Sequence, residues 1–186
     1  MAAPPVETRY KPEDLLRMEE EGRFELVDGQ LVEKPMGAES SCIGFNIMFL
    51  VRQKVSTPAP GLFFGSNCGY QIVQDDPERV RYPDGSFIRR GRLPNDKPPK
   101  GHIRIAPDIA LEVVSPNDGA DEVQIKIDEY LQAGVRLVWL VYPSTRQIHV
   151  YRPDGSISRL TTTDDITGED VLPGFVCRVE DLFAAI

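Results

Sequence analysis

Apolar and polar residues alternate along several short segments of the chain, and two longer segments repeat with helical spacing. Residues 24–27 and 30–33 flank Asp28-Gly29, a pair typical of a two-residue hairpin turn. We also predict three helices: one beginning near Pro12, one from Ser40 or Ser41 to about Val55, and one over 121–133. The further strands are predicted as one or two over 63–73, a short strand at 86–88, strands at 105–114 and 137–142, and a hairpin formed by 147–152 and 156–160.

The order of these elements favours an α/β (α+β) fold in which a mixed β-sheet is flanked by helices, because strands and helices neither alternate strictly nor segregate. The length of 186 residues fits one domain. We therefore predict a flexible N-terminal arm at 1–9 and a single domain over 10–186.

Composition bears on the cellular location of the protein. The longest apolar runs, such as 137–142, are far shorter than the roughly 20 residues of a membrane span. The N-terminus lacks the pattern of a secretory signal, and the three cysteines show neither metal-ligand spacing nor a disulfide framework. We expect a cytoplasmic protein without membrane contact.

The formal net charge of −8 argues against a protein that coats nucleic acid nonspecifically. A local basic segment nevertheless lies between Arg79 and Arg104, opposed only by Asp84 and Asp96. Such a segment is either a solvated loop or a phosphate-facing edge beside an active site, and the pattern leaves both interpretations open.

Candidate catalytic acids lie at Asp84, which enters a strand after a turn, and in the strand around 105–114. In that strand Asp108 and Glu112 share one face, while Ile109 and Leu111 share the other. Asp108 and Glu112 are separated by roughly 13 Å along an extended chain, which is too far to share one ion. We therefore select Glu112 for the site and expect Asp108 to order the strand entry or a loop.

Lys126 borders the apolar face of the helix predicted at 121–133, so its ammonium group can reach a polar pocket. Glu25, in the first hairpin strand, is a further acid. Each residue also has a plainer interpretation: Asp84 as a turn element, Glu112 as an edge ion-pair partner, Lys126 as a lysine with its stem on apolar surface, and Glu25 as a solvated or cross-strand-paired acid. As a set, carboxylates with a nearby lysine suit a phosphodiester hydrolase that uses Mg²⁺ or Mn²⁺.

At these residues the sequence resembles the Uma2 family of bacterial proteins, from about Lys11 to Phe183. The segments that carry the resemblance are 24–31, 82–88, 106–116, Lys126, Tyr130, 133–135, 138–141 and 172–175. That family is similar to the PD-(D/E)XK nuclease superfamily, which implies a restriction-endonuclease-like fold and DNA as the substrate.

The resemblance implies Asp84 as the first acid and Glu112 as the second, with the Val113 carbonyl completing the metal ligands. The superfamily lysine falls at Val114 in this chain, and the family pattern implies that Lys126 replaces it. Relatives tend to carry a histidine where this chain has Glu39-Ser40-Ser41.

Two hypotheses follow for the function. The first is a metal-dependent endodeoxyribonuclease, acting as a homodimer because duplex cleavage needs two sites. The second is a catalytically inactive module that keeps the nuclease fold for binding or interaction, for which the acidic net charge and the missing histidine argue.

Overall fold

The computed structural model describes residues 8–18, 24–34, 37–56 and 58–183. Within these ranges the helices are α1 (Pro12–Leu15), α2 (Ala38–Lys54), α3 (Ala120–Gln132) and α4 (Val179–Phe183). The strands are β1 (Phe24–Val27), β2 (Gln30–Glu33), β3 (Gly61–Gly65), β4 (Gly85–Arg89), β5 (Ile109–Val113), β6 (Leu137–Tyr142), β7 (Gln147–Tyr151), β8 (Ile157–Leu160), β9 (Asp165–Gly168) and β10 (Leu172–Arg178).

A six-stranded mixed sheet in the order β3-β4-β5-β6-β7-β8 forms the centre of the fold. Only β5 and β6 are parallel among its neighbours, and α3 makes the crossover between them. The predicted mixed sheet flanked by helices is therefore confirmed.

Both faces of this sheet are covered, because β5 is buried along its whole length. Leu111 and Val113 belong to a core cluster with Ile43 and Ile47 of α2. Ala110 belongs instead to the cluster that contains residues of α3. The predicted alternation along this strand is thus confirmed, and it places the even-numbered positions on the α3 side.

Two small antiparallel hairpins complete the fold, β1 with β2 and β9 with β10. The first follows the Asp28-Gly29 prediction and joins the rest of the chain through a bridge between Leu26 and Val80. The second was not predicted, since Pro173 and Gly174 inside β10 are poor strand formers.

Several predicted boundaries were wrong. Helix α2 begins after Gly37 rather than at Ser40 or Ser41, and β5 begins at Ile109 rather than at residue 105. Residues 1–7 of the predicted arm lie outside the described residues, whereas the Arg9 side chain donates to the Asp28 carbonyl at 3.0 Å. Among the described residues, no helix is long and apolar enough to cross a bilayer.

Candidate active site

Helix α3 presents three polar side chains on one face, spaced three and four residues apart. Lys126 Nζ lies 3.0 Å from Glu25 Oε2, and the Tyr130 hydroxyl donates to Glu112 Oε1 at 2.7 Å. Glu129, between them, binds Arg81. The helix therefore joins the first hairpin, the central strand and the segment before β4 at one place.

Glu112 is an acid on a strand that is otherwise apolar, and only 8% of the residue is exposed. Burial, opposed by the ammonium groups of Lys126 and Lys34 and assisted by the neighbouring Asp84, raises the pKa of Glu112 to about 7. Near neutral pH this carboxyl is therefore poised between its two protonation states.

Glu25 is 2% exposed, so the interpretation of this residue as a solvated acid was wrong. Burial favours a higher pKa for Glu25, but Lys126 and Arg81 outweigh burial and the pKa is lowered. Arg81 Nη1 lies 2.8 Å from the same Oε2 atom that binds Lys126. Glu25 is therefore a buried anion that fixes the position of the lysine.

Arg81 links two of the buried glutamates, Glu25 and Glu129. It forms a two-pronged contact with Glu129, from Nε at 2.7 Å and from Nη2 at 3.1 Å, in addition to its contact with Glu25. Arg79 extends the network to Glu129, Asp28 and Asp76. This chain of buried and half-buried pairs holds the hairpin, α3 and the segment before β4 together.

Asp84 lies directly before β4, and the pairing of Gly85 with Leu111 places it next to Glu112. Lys34 Nζ lies 2.7 Å from Asp84 Oδ1, and the Val113 amide donates to Oδ2 at 2.8 Å. The Lys34 ammonium also donates to the Tyr82 carbonyl at 2.6 Å. Both carboxylate oxygens of Asp84 are thus held by the protein.

A glycine in α2 permits this arrangement. A Cβ atom at Gly44 would lie 3.3 Å from both the Cβ atom and the carbonyl oxygen of Asp84. The helix backbone therefore runs directly beside Asp84, and a side chain larger than that of glycine would crowd the acid.

The candidate residues are divided between two adjoining cavities. The first, which we call the lysine pocket, has a volume of about 420 Å³ and is lined by Glu25, Glu112, Val113 and Lys126. The second, the α2 cleft, has a volume of about 710 Å³ and is lined by Asp84 together with α2, β3 and the loop around residue 100. Lys34 lines the lysine pocket and its ammonium binds Asp84, so their ion pair marks the junction.

Asp108 lies away from both cavities. It is fully buried and accepts hydrogen bonds from the Arg89 amide and from Arg89 Nε, both at 2.8 Å, and Arg92 Nη1 lies 2.8 Å from it. These contacts agree with the expectation that Asp108 orders the strand entry. Together with the pairs of Arg79 and Arg81, they show that much of the basic segment is neutralised internally.

Sequence reasoning missed Lys34 and Glu129. Glu129 has a recognisable signal, because it lies three residues after Lys126 on the same helical face. Lys34 has none, since it follows an ordinary hairpin strand and meets Asp84 across 50 residues of chain.

The donor types at the junction fit a hard divalent cation, since two carboxylates and a main-chain carbonyl supply only oxygen. The effect of Asp84 on the pKa of Glu112 is a like-charge effect that a dication would relieve. Among the described residues, however, no group of three His, Cys, Asp or Glu side chains is placed to hold a metal. A metal here would depend on the carbonyl and on water for its remaining ligands.

The architecture is an α+β fold built on a six-stranded mixed sheet. A solved structure shares it: "a putative nuclease belonging to DUF820 from Anabaena variabilis ATCC 29413" superposes with a TM-score of 0.76 at 22% identity, over 94% of this chain and 97% of that chain. The Uma2 family profile, described as "Putative restriction endonuclease", matches residues 12–180. The chain therefore belongs to the Uma2 family. No curated protein matches it.

Proposed function

We propose that this chain is a metal-dependent endodeoxyribonuclease whose reaction centre lies at the junction of the lysine pocket and the α2 cleft. The observation that carries the proposal is the convergence of Lys126, Glu112 and Asp84 from α3, β5 and the turn before β4. Membership of the Uma2 family supports the reaction class.

In this proposal Asp84, Glu112 and the Val113 carbonyl hold Mg²⁺ or Mn²⁺. When bound, the ion supplies Lewis-acid stabilisation of the phosphate and lowers the pKa of a water molecule. Glu112 is suited to holding the ion because a divalent charge would stabilise the carboxylate form that burial and Asp84 disfavour.

Lys126 acts in the proposal as the group that orients the attacking water and stabilises the developing negative charge. Its pKa is raised: burial favours a lower value, but Glu112 and Glu25 outweigh burial, so the side chain stays an ammonium ion. Glu25 is a positioning residue, because its contact is with the lysine rather than with a reacting atom.

Plasmid nicking tests the proposal. We expect the parent protein to nick supercoiled plasmid with Mg²⁺ or Mn²⁺, and Lys126→Met and Asp84→Asn to cut at least about 100-fold more slowly. Lys97→Met serves as the matched control, because Lys97 is an exposed loop lysine. Equal rates for the parent and Lys126→Met would remove the assignment.

One observation favours a second candidate function, a nuclease-fold binding module without catalysis. The Lys34 ammonium and the Val113 main-chain N–H already hold both oxygens of Asp84, so these donors take part of the place of a metal. Calorimetry with Mn²⁺ separates the two. Saturable binding that is lost in Glu112→Ala supports the enzyme, whereas no binding supports the module.

The homodimer and the cytoplasmic location stay predictions. Light scattering of the purified protein checks the first, and fractionation of the source cells checks the second.

A further inference from the structure

The α2 cleft carries two large aromatic side chains that the core does not use. Phe45 is 67% exposed and Phe49 is 50% exposed, although the neighbouring apolar residues Ile47 and Met48 are buried. Their rings lie nearly parallel, with an interplanar angle of 10° and centroids 6.1 Å apart. Exposed aromatic rings on a cavity wall are unusual and indicate a binding surface.

Within the residues that the structure describes, the same cleft also holds two cations that form no ion pair. Arg52 lies one helical turn after Phe49, and Lys100 comes from the loop that lines another part of the cleft. Both residues are exposed, and within the described part of the chain neither forms an ion pair. This contrasts with Arg79, Arg81 and Arg89, whose charges are taken up by buried acids.

Aromatic faces beside unpaired cations match the chemistry of a nucleic-acid strand, in which bases stack on rings while phosphates meet Arg and Lys. A duplex does not offer this contact, because its bases already stack on each other. The cavity volume of about 710 Å³ lies in the range of ordinary ligand sites, and Asp84 forms part of its lining.

We propose that the α2 cleft binds an unpaired nucleic-acid strand, with bases on Phe45 and Phe49 and phosphates at Arg52 and Lys100. The inference deepens the proposed function, since it names unpaired strands as the substrate class and leads a bound strand to Asp84. Binding itself needs no metal, and it is therefore measurable apart from cleavage.

Fluorescence anisotropy in EDTA tests the inference, with a labelled 15-residue oligothymidylate and a 15-base-pair duplex as probes. We expect the single strand to bind at least about fivefold more tightly than the duplex. Phe45→Ala combined with Phe49→Ala should weaken single-strand binding by about tenfold or more and leave duplex binding unchanged. Arg52→Gln and Lys100→Gln should each make the plot of log single-strand affinity against log salt concentration less steep, by roughly 0.7.

Ile157→Ala is the matched control, because Ile157 is 57% exposed on β8 and lines none of the cavities described above. Circular dichroism melts of each variant check that the fold is retained.

Equal affinity for the two probes, or parent-like binding by the double phenylalanine variant, would overturn the inference. So would a change from dimer to monomer in that variant without loss of binding, because the surface would then serve self-association. Single-strand binding with no cleavage of either the plasmid or the labelled single strand, in Mg²⁺ or Mn²⁺, would sink the nuclease proposal and leave this inference standing.

Discussion

The lysine pocket and the α2 cleft meet at one ion pair but use their charges in opposite ways. In the lysine pocket the charged groups satisfy one another, as the contacts of Glu25 with Lys126 and Arg81 show. In the α2 cleft Arg52 and Lys100 are exposed, and neither forms an ion pair with any other described residue. The difference teaches that the pocket is organised before any ligand arrives, whereas the cleft keeps its cations available for one.

The largest effect is expected where the pocket loses its central cation. Arg81→Met leaves Glu25 and Glu129 buried without their shared partner, so we expect the free energy of unfolding to fall by about 3–5 kcal/mol. Urea denaturation measures the loss, and Arg104→Met, at an exposed position, is the control. A loss equal to that of the control would show that the pocket is not held by its ion pairs.

A smaller effect concerns the pH dependence of stability in the metal-free protein. The pKa of Glu112 is raised from 4.5 to about 7, mainly by burial. Between these values the folded state keeps a proton that the unfolded state loses, so this contribution is present below pH 4.5 and is lost as pH rises through 7.

In the parent protein we expect the free energy of unfolding to fall by roughly 1–3 kcal/mol from the acidic to the neutral end of this pH window. Glu112→Gln should abolish that fall, because glutamine does not titrate. Denaturation curves in EDTA at pH 4.5 and pH 7.5 compare the parent with the variant at the two ends of the window between the ordinary and the raised pKa of this carboxyl. Glu180→Gln, on the exposed side of α4, should leave the fall in place. An unchanged pH profile in Glu112→Gln would show that this carboxyl is ionised throughout.

The smallest effect is expected at the junction of the two regions. Lys34→Met removes the ammonium group that lies 2.7 Å from Asp84 Oδ1 and competes with a dication for that oxygen. Mn²⁺ should bind the variant about tenfold more tightly, as electron paramagnetic resonance titration would measure. Weaker binding by the variant would mean that Lys34 supports the ligands rather than competing with the ion.

The sequence was most informative where one element fixes the geometry. The two-residue period of β5 predicted the face of Glu112, and the helical period of α3 predicted that Lys126 reaches a polar pocket. Expected ordering of the strand entry by Asp108 agrees with its contacts to Arg89 and Arg92.

Sequence reasoning failed where contacts join distant segments. Lys34 meets Asp84 across 50 residues, and Arg81 meets Glu25 across 56. No local pattern encodes such pairs, because they arise from the way the first hairpin docks on the sheet. The buried ion pairs of Glu25 were missed for the same reason, because the two-residue period of β1 does not reveal which segments pack against that strand.

The separate β1–β2 hairpin has a consequence for thermal inactivation of the protein. Glu25 belongs to a two-stranded sheet that is separate from the six-stranded one, and Leu26 bridges it to Val80. If this small sheet detaches by local opening, Lys126 and Arg81 lose Glu25 in the same event, while the large sheet remains folded. Heating would then abolish function at a lower temperature than the one at which the main cooperative transition occurs.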